Sequence, residues 1–381
     1  MTEITLSHMG RAGVVDNEWV DWYELVAVGG GLVGLAGGVA ALVALVRLRR
    51  TQRTLARAAQ YRRDSDRPER VAFVANPTKT GYTDFKLAAY ALCRELGLGE
   101  PIWLETTVES PGTAQAALAA GEPGVRTVVA AGGDGTVRAV AHGLAGSAVP
   151  MGIVPLGTAN LLARNLKLPL VSSRDALEVA LTGPRRQIDV GRLTAWNTAG
   201  DLVLEREAFL VISGLGFDAA MVSGTDSVLK RRLGWPAYFI SGFNHLADKP
   251  VAVMLETAGE VRPVSARSIM FGNCGLLPAR LNLVPDADLA DGELDLAMAE
   301  TRHGLVGWAA LAWQVVLHSV GVRWTPAWAS GRMVYRQAKS FRVACEADQL
   351  IQIDGELVGR ASSLHVWVEH LALCVRVADW A

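Results

Sequence analysis

The run Val128-Val129-Ala130-Ala131 breaks into Gly132-Gly133-Asp134-Gly135-Thr136 and resumes at Val137-Arg138-Ala139-Val140-Ala141 with apolar residues at helical spacing. Its first part has the length and β-branching of a buried strand, and its last part the periodicity of a helix. Between them lies a turn almost without side chains. Glycine lets the backbone reach positive φ and lets an anion approach the amides, while the following helix start offers unpaired N–H groups and a positive dipole end. This stretch reads as a phosphate site. A carboxylate there would repel a bare phosphate, so Asp134 faces a metal ion or holds the loop and a substrate hydroxyl in place. The same pattern also serves as a plain strand-to-helix connection, and the rest of the chain decides between the two.

The neighbouring segments repeat the alternation. Val71-Ala72-Phe73-Val74-Ala75 is a buried-strand pattern running into Asn76-Pro77-Thr78-Lys79-Thr80-Gly81 and a helix through Leu96. A second strand is expected over 101–105, followed by Thr106-Thr107 and an alanine-rich helix over 113–120. A strand over 150–155 then turns through Leu156-Gly157-Thr158-Ala159-Asn160 into a helix over 161–166, where Thr158 and Asn160 offer neutral hydrogen-bonding groups or simply cap the helix. Strands alternating with helices argue for parallel βαβ units, with ligands beyond the carboxyl ends of the strands.

After Ile188-Asp189-Val190-Gly191 the pattern becomes an antiparallel β domain, with strands expected over 209–213, 268–272, 294–299, 340–345, 350–353 and 364–368. Helical stretches rich in Trp, Phe and Leu interrupt it at 235–246 and 303–318; they read as core or as the border of a lipid-entry cleft. Two acidic turns stand out. Pro285-Asp286-Ala287-Asp288-Leu289-Ala290-Asp291-Gly292-Glu293 crowds oxygen ligands into one loop, as a hard divalent cation needs. Asp354-Gly355-Glu356 puts two carboxylates at a hairpin tip, although Asp-Gly is also the commonest short hairpin signal.

Ahead of all this, residues 25–46 contain no charged or strongly polar side chain, and 22 residues would span about 33 Å as a helix, enough to cross a bilayer core. Trp19, Trp22 and Tyr23 stand before the run, and Arg47, Arg49 and Arg50 after it. The arginine bias predicts a single-pass anchor in the cell membrane with the bulk of the chain cytoplasmic. Positive charge following the apolar run, rather than preceding it, argues against a cleaved signal peptide. Gly30, Gly34 and Gly38 recur at a spacing that permits helix dimerisation, hence a possible homodimer. The expected organisation is an extracytoplasmic N-terminus at 1–24, a transmembrane helix at 25–46, a basic juxtamembrane linker at 47–69, an α/β nucleotide-binding domain at 70–191, a β-sandwich lipid and metal domain at 192–368, and a returning strand at 369–381. The arginines of the linker can lie on anionic headgroups or remain solvated. A formal net charge of −1 over 381 residues gives no sign of nucleic-acid binding. Cys93, Cys274, Cys345 and Cys374 lie far apart in apolar contexts and read as reduced thiols.

Together, Asn76-Pro77, Gly132-Gly133-Asp134-Gly135-Thr136, Pro155-Leu156-Gly157-Thr158-Ala159-Asn160, Pro285-x-Ala287-x-x-x-Asp291-Gly292 and Asp354-Gly355-Glu356 resemble the diacylglycerol kinase catalytic family, lipid kinases that also include the sphingosine kinases. The resemblance runs from about residue 70 to the C-terminus. It implies an α/β domain meeting a β-sandwich, with ATP and a membrane lipid substrate in the cleft between them. It further implies that Asn76, Pro77, Thr107, Gly132, Gly133, Asp134, Gly135, Thr136, Val137, Arg138, Thr158 and Asn160 line the nucleotide site. Asp288, Asp291 and Glu293 would correspond to a magnesium site built partly from main-chain oxygens. Asp134, Asp354 and Glu356 would be the catalytic carboxylates, with Glu356 preferred over Asp354 as acceptor of the lipid hydroxyl proton. One position departs from the pattern. Bacterial members often carry an aspartate after the Gly-Thr-x-Asn motif, joined to the loop aspartate and to the equivalent of Asp189, and here Leu161 stands there. Two other functions remain open: a soluble-substrate kinase related to NAD kinase, against which the Asn76-Pro77 motif and the anchor speak, and a non-catalytic, membrane-tethered nucleotide- or lipid-binding protein.

Overall fold

A computed structural model describes residues 69–216, 251–266, 268–276, 284, 287–301 and 331–379. The expected N-terminus, transmembrane helix and juxtamembrane stretch lie outside the described residues, Glu69 apart, as do the two aromatic-rich helices. Among the described residues no helix is long and apolar enough to cross a membrane.

The chain first alternates β1 (Arg70–Ala75), α1 (Tyr82–Glu95), β2 (Ile102–Glu105), α2 (Thr113–Gly121), β3 (Val125–Gly132), α3 (Asp134–Leu144) and β4 (Met151–Pro155), followed by the short α4 (Leu161–Asn165) and by α5 (Ser173–Thr182). The strands pair in parallel in the order β2-β1-β3-β4. Residues 71–75 of β1 are all fully buried, because alternate side chains enter cores on opposite faces. Ala72 and Val74 pack with Ala116 of α2 and with Val137, Val140 and Leu144 of α3. Val71, Phe73 and Ala75 pack with Phe85 and Leu92 of α1 and with Leu177 and Leu181 of α5. Covered on both faces, the strands are continuously apolar, as parallel sheets require.

From there on the described elements are all strands: β5 (Arg185–Trp196), β6 (Leu202–Phe209), β7 (Ile212–Gly216), β8 (Val251–Thr257), β9 (Glu260–Ala266), β10 (Ser268–Gly272), β11 (Leu294–Thr301), β12 (Gly331–Ala338), β13 (Ser340–Ile353) and β14 (Glu356–Arg376). Their pairings are antiparallel, and they enclose a second core in which the Phe271 and Phe341 rings lie 5.6 Å apart among Leu193, Phe209, Leu296 and Val366. Instead of closing on themselves as a separate sandwich, these strands continue the parallel sheet. β14 pairs with β13 and β5 along its length and then with β4 in parallel, Val375 opposite Met151. The result is one 14-stranded sheet with the path β12-β11-β10-β7-β13-β14-β4-β3-β1-β2, while β5 joins it at β14 and β8 at β13.

Several boundaries differ from the sequence pattern. The strand expected over 209–213 is broken between Phe209 and Ile212, since the amides of Leu210 and Val211 leave the ladder to donate to the Asp354 carboxylate. Segments 340–345 and 350–353 form the single strand β13, with its register irregular between Ala344 and Gln349. Helix α5, capped by Ser172 accepting from the Asp175 amide, carried an unrecognised start signal. The four cysteines are free thiols.

Candidate active site

Three loops meet at the carboxyl edge of the parallel strands: the one after β1, the glycine turn between β3 and α3, and the one between β4 and α4. Gly133 is the N-cap of α3 and supplies no side-chain cap. Gly157 lies so close that a β-carbon on it would come within 2.6 Å of Gly133 Cα. Asn160 knits the third loop: its Oδ1 accepts from the Gly157 amide at 3.1 Å and its Nδ2 donates to the Gly157 carbonyl at 2.8 Å. Its own backbone is left-handed (φ 48°), a conformation asparagine tolerates.

Asp134 clamps the same loop from across the turn. Its Oδ2 accepts from the Asn160 amide at 2.9 Å and its Oδ1 from the Leu161 amide at 2.6 Å. The carboxylate therefore serves α4 as a cap supplied from another element. Burial pushes the Asp134 carboxyl up to about 6, aided by the nearby Asp354, while the two amides pull the other way. Leu161 has its side chain fully buried in the α/β core with Leu162, Val137 and Val140, and meets Asp134 only through its amide. Asp189 lies apart from this cluster: its oxygens accept from the amides of Gly292 (2.7 Å) and Leu371 (2.6 Å), and His370 Nδ1 stands 2.9 Å away.

The two carboxylates of the 354–356 turn have separate environments. Asp354 (φ 48°) and Gly355 (φ 81°) form the two-residue link between Ile353 and Glu356, the left-handed pair that tight hairpins require. Asp354 is buried, and its carboxylate accepts from the amides of Leu210 (3.0 Å), Val211 (2.9 Å) and Ile212 (3.0 Å). Burial raises its pKa, against Arg138 and these three amides. It fastens the hairpin to the start of β7. Glu356 is half-exposed and reaches the opposite element, where its Oε2 accepts from Arg138 at 2.6 Å.

A cleft of about 520 Å³ opens between these elements, bounded on one side by Asn76, Thr78, Thr106 and Thr107 and on the other by Gly135, Thr136, Arg138, His142 and Glu356. Gly135, Arg138 and His142 lie one helical face apart along α3, so the helix forms one wall of the cleft. Burial and Arg192 lower the pKa of His142, which stands 3.9 Å from Glu207 at the far end. The sequence reading passed over Lys79. Its ammonium lies 3.6 Å from where a Gly133 β-carbon would be, and among the described residues it has no hydrogen-bond or ion-pair partner. A lysine shortly after Asn76-Pro77 was the available signal.

The described part of the acidic loop holds two local turns. Asp288 and Asp291 accept from the amides of Ala290 and Glu293 in local turns, both at 2.9 Å, and Asp288 lies 3.8 Å from Arg186. Among the described residues no three Asp, Glu, His or Cys side chains converge to hold a metal ion. Asp288 and Asp291 each engage one backbone amide through Oδ1, and Asp286 of the same loop lies outside the described residues.

Residues 70–193 match the model of the diacylglycerol kinase catalytic domain. Over 236 residues the chain is 30% identical to a diacylglycerol kinase of Staphylococcus saprophyticus, covering 61% of this chain and 71% of that one. The chain belongs to the diacylglycerol kinase family. A second family relative, a diacylglycerol kinase of Staphylococcus epidermidis, is 28% identical over 61% of this chain and 68% of its own. A diacylglycerol kinase structure from Bacillus anthracis shares the fold, with a TM-score of 0.56 at 17% identity over 82% of this chain and 98% of that one. Membership in this kinase family gives the cleft a chemical context, phosphoryl transfer.

Proposed function

We propose that the protein is an ATP-dependent lipid kinase that transfers a phosphoryl group to a hydroxyl of diacylglycerol or a related lipid. The observation that carries this reading is the meeting of Glu356 with the glycine-turn helix at the edge of the cleft, a carboxylate beside the turn that this reading assigns to phosphate. The residues fit a nucleotide. A helix start without a side-chain cap, a cluster of closely packed glycines and the unpartnered Lys79 ammonium put hydrogen-bond donors and a positive charge where a triphosphate would lie. ATP supplies the phosphoryl group when bound. The amides of the glycine turn and Lys79 hold the phosphates, Asn76 and Thr107 line the opposite wall, and Asp134 keeps the 157–161 loop in register. Glu356 takes the proton of the acceptor hydroxyl, a contribution of about 10²- to 10⁴-fold. Phosphoryl transfer also calls for a divalent cation on the phosphates, Mg²⁺ in this reading. The membrane segment at 25–46 would bring the cytoplasmic cleft to its lipid.

Incubation with γ-labelled ATP, Mg²⁺ and a total lipid extract, followed by chromatography, tests the reading. A labelled lipid is expected from wild type, and about 10²- to 10⁴-fold slower labelling from Glu356→Gln. The chain lacking residues 1–63 should retain activity on detergent-dispersed lipid and lose it on vesicles. Label appearing only on a soluble acceptor, or on nothing while ATP still binds, would overturn the lipid kinase.

A further inference from the structure

Arg138 stands one turn after Gly135 on α3, with only 17% of its side chain exposed. Its guanidinium crosses to an element 218 residues away along the chain, donating through Nη2 to Glu356 Oε2 at 2.6 Å. Nη1 donates to the Ile353 carbonyl at 3.3 Å. Both acceptors belong to one hairpin and flank its two-residue turn, so a single planar fork fixes the hairpin backbone and the carboxylate together. Gly135 completes the seat. A β-carbon there would lie 2.8 Å from Glu356 Oε1, so only a residue without a side chain leaves the carboxylate this position. Glu356 is 51% exposed, and a glutamate that open ordinarily samples many rotamers.

We propose that Arg138 is the positioning residue of Glu356: its guanidinium holds the proton-accepting carboxylate against Gly135, and its contribution to turnover runs through that carboxylate rather than through nucleotide phosphate. This rests on the reading of Glu356 as proton acceptor. Because Arg138 and the glycine turn belong to the same helix, the acceptor of the proton and the holder of the phosphates are fixed to one rigid element. The reacting hydroxyl needs its base and its phosphorus aligned within a few tenths of an ångström, and a common support supplies that alignment. Lysine keeps the charge but cannot bridge both acceptors.

The test is a double-mutant cycle on the full chain with detergent-dispersed lipid, using Arg138→Met, Glu356→Gln and the pair, together with Arg138→Lys and Arg138→Ala. Arg138→Met should lower kcat by roughly 100-fold while changing the ATP Kd by less than about 3-fold. Added to Glu356→Gln it should cost less than about 3-fold further, because its path through Glu356 is already cut. Arg138→Lys should recover only part of the loss, and guanidinium ions should restore part of the turnover of Arg138→Ala. A multiplicative double mutant, or a loss confined to ATP affinity with kcat intact, would make Arg138 a phosphate ligand and overturn the proposal. If wild type labels no lipid, the kinase reading fails instead. The pair is then judged by thermal unfolding of the same four proteins, where coupled midpoint shifts support the seat and additive ones sink it.

Discussion

Asp134 shows how a carboxylate can be accommodated in a glycine turn at a helix start. Its two oxygens are engaged by the amides of Asn160 and Leu161, so its charge is turned toward the neighbouring loop rather than toward the cleft. Burial still makes the ionised form costly, and its pKa rises from an ordinary carboxylate value to about 6. In the unfolded chain the group loses its proton near pH 4; in the folded one it keeps it until near pH 6. Between these values the folded state binds more protons, so this residue's contribution to stability is greatest below pH 4 and falls as pH rises through that window. Two pKa units correspond to about 3 kcal/mol. The difference in unfolding free energy between wild type and Asp134→Asn, followed by urea titration from pH 3.5 to 7.5, should fall by an amount of that order between about pH 4 and 6 and be flat above. Part of the step belongs to the facing Asp354, whose charge raises the pKa of Asp134. A flat difference throughout would mean that Asp134 is ionised at ordinary carboxylate pH in the folded protein.

The loops of the site work as a packed set, and the spacing of two glycines displays it. A β-carbon on Gly157 would press on Gly133 Cα at 2.6 Å and on Asn160 Oδ1 at 2.9 Å, whereas one on Gly133 would meet nothing nearer than 3.6 Å. Gly157→Ala must therefore push the 157–160 loop off the glycine turn, and Gly133→Ala need not. The former should lower the thermal midpoint by several degrees and weaken ATP binding by at least about tenfold, a cost in the range of overpacking; the latter should leave the midpoint near wild type. Equal midpoints would show that the loops are not in contact. The glycines, the strands bearing them and the Asp-Gly hairpin were legible in the sequence because each is written in local residue types. The pairing of Arg138 with Glu356 was not, since nothing local to either position records which distant loop it will meet. The break at 210–211 was hidden for the same reason: the segment reads as a strand until Asp354 takes its amides. Leu161, conspicuous as a departure at the sequence level, proved to be an ordinary core residue.

Across residues 68–381, which form one compact unit, the fold depends on how its last strand is shared. β14 runs for 21 residues. Its first half pairs with β13 beside the candidate base, its middle with β5, and its end enters the parallel sheet at β4. Leu373 and Val375 are fully buried in the core that also contains Val128, Leu144 and Ile153. Arg376, itself buried, donates to the Gly183 carbonyl at 2.8 Å and to Thr127 Oγ1 at 3.2 Å, tying the strand end to the start of β3 and to the turn after α5. Removing residues 373–381 would thus open the α/β core, strip β5 of its pairing from Ile188 to Arg185 and leave buried polar groups unmatched. Each exposed or emptied apolar site costs roughly 2–5 kcal/mol, and two or three such losses equal the stability of a typical domain. The truncated chain should therefore fail to fold as a whole, with the antiparallel strands lost along with the α/β half, because β14 is a member of both. Hydrogen exchange on the intact protein checks the same coupling without truncation. Amides in β3 and in β11, which lie on opposite sides of β14 in the sheet path, should exchange with the same free energy in their slowest fraction. Protection persisting in β11 after it is lost in β3 would show that the two arms unfold separately and that the shared strand does not join them.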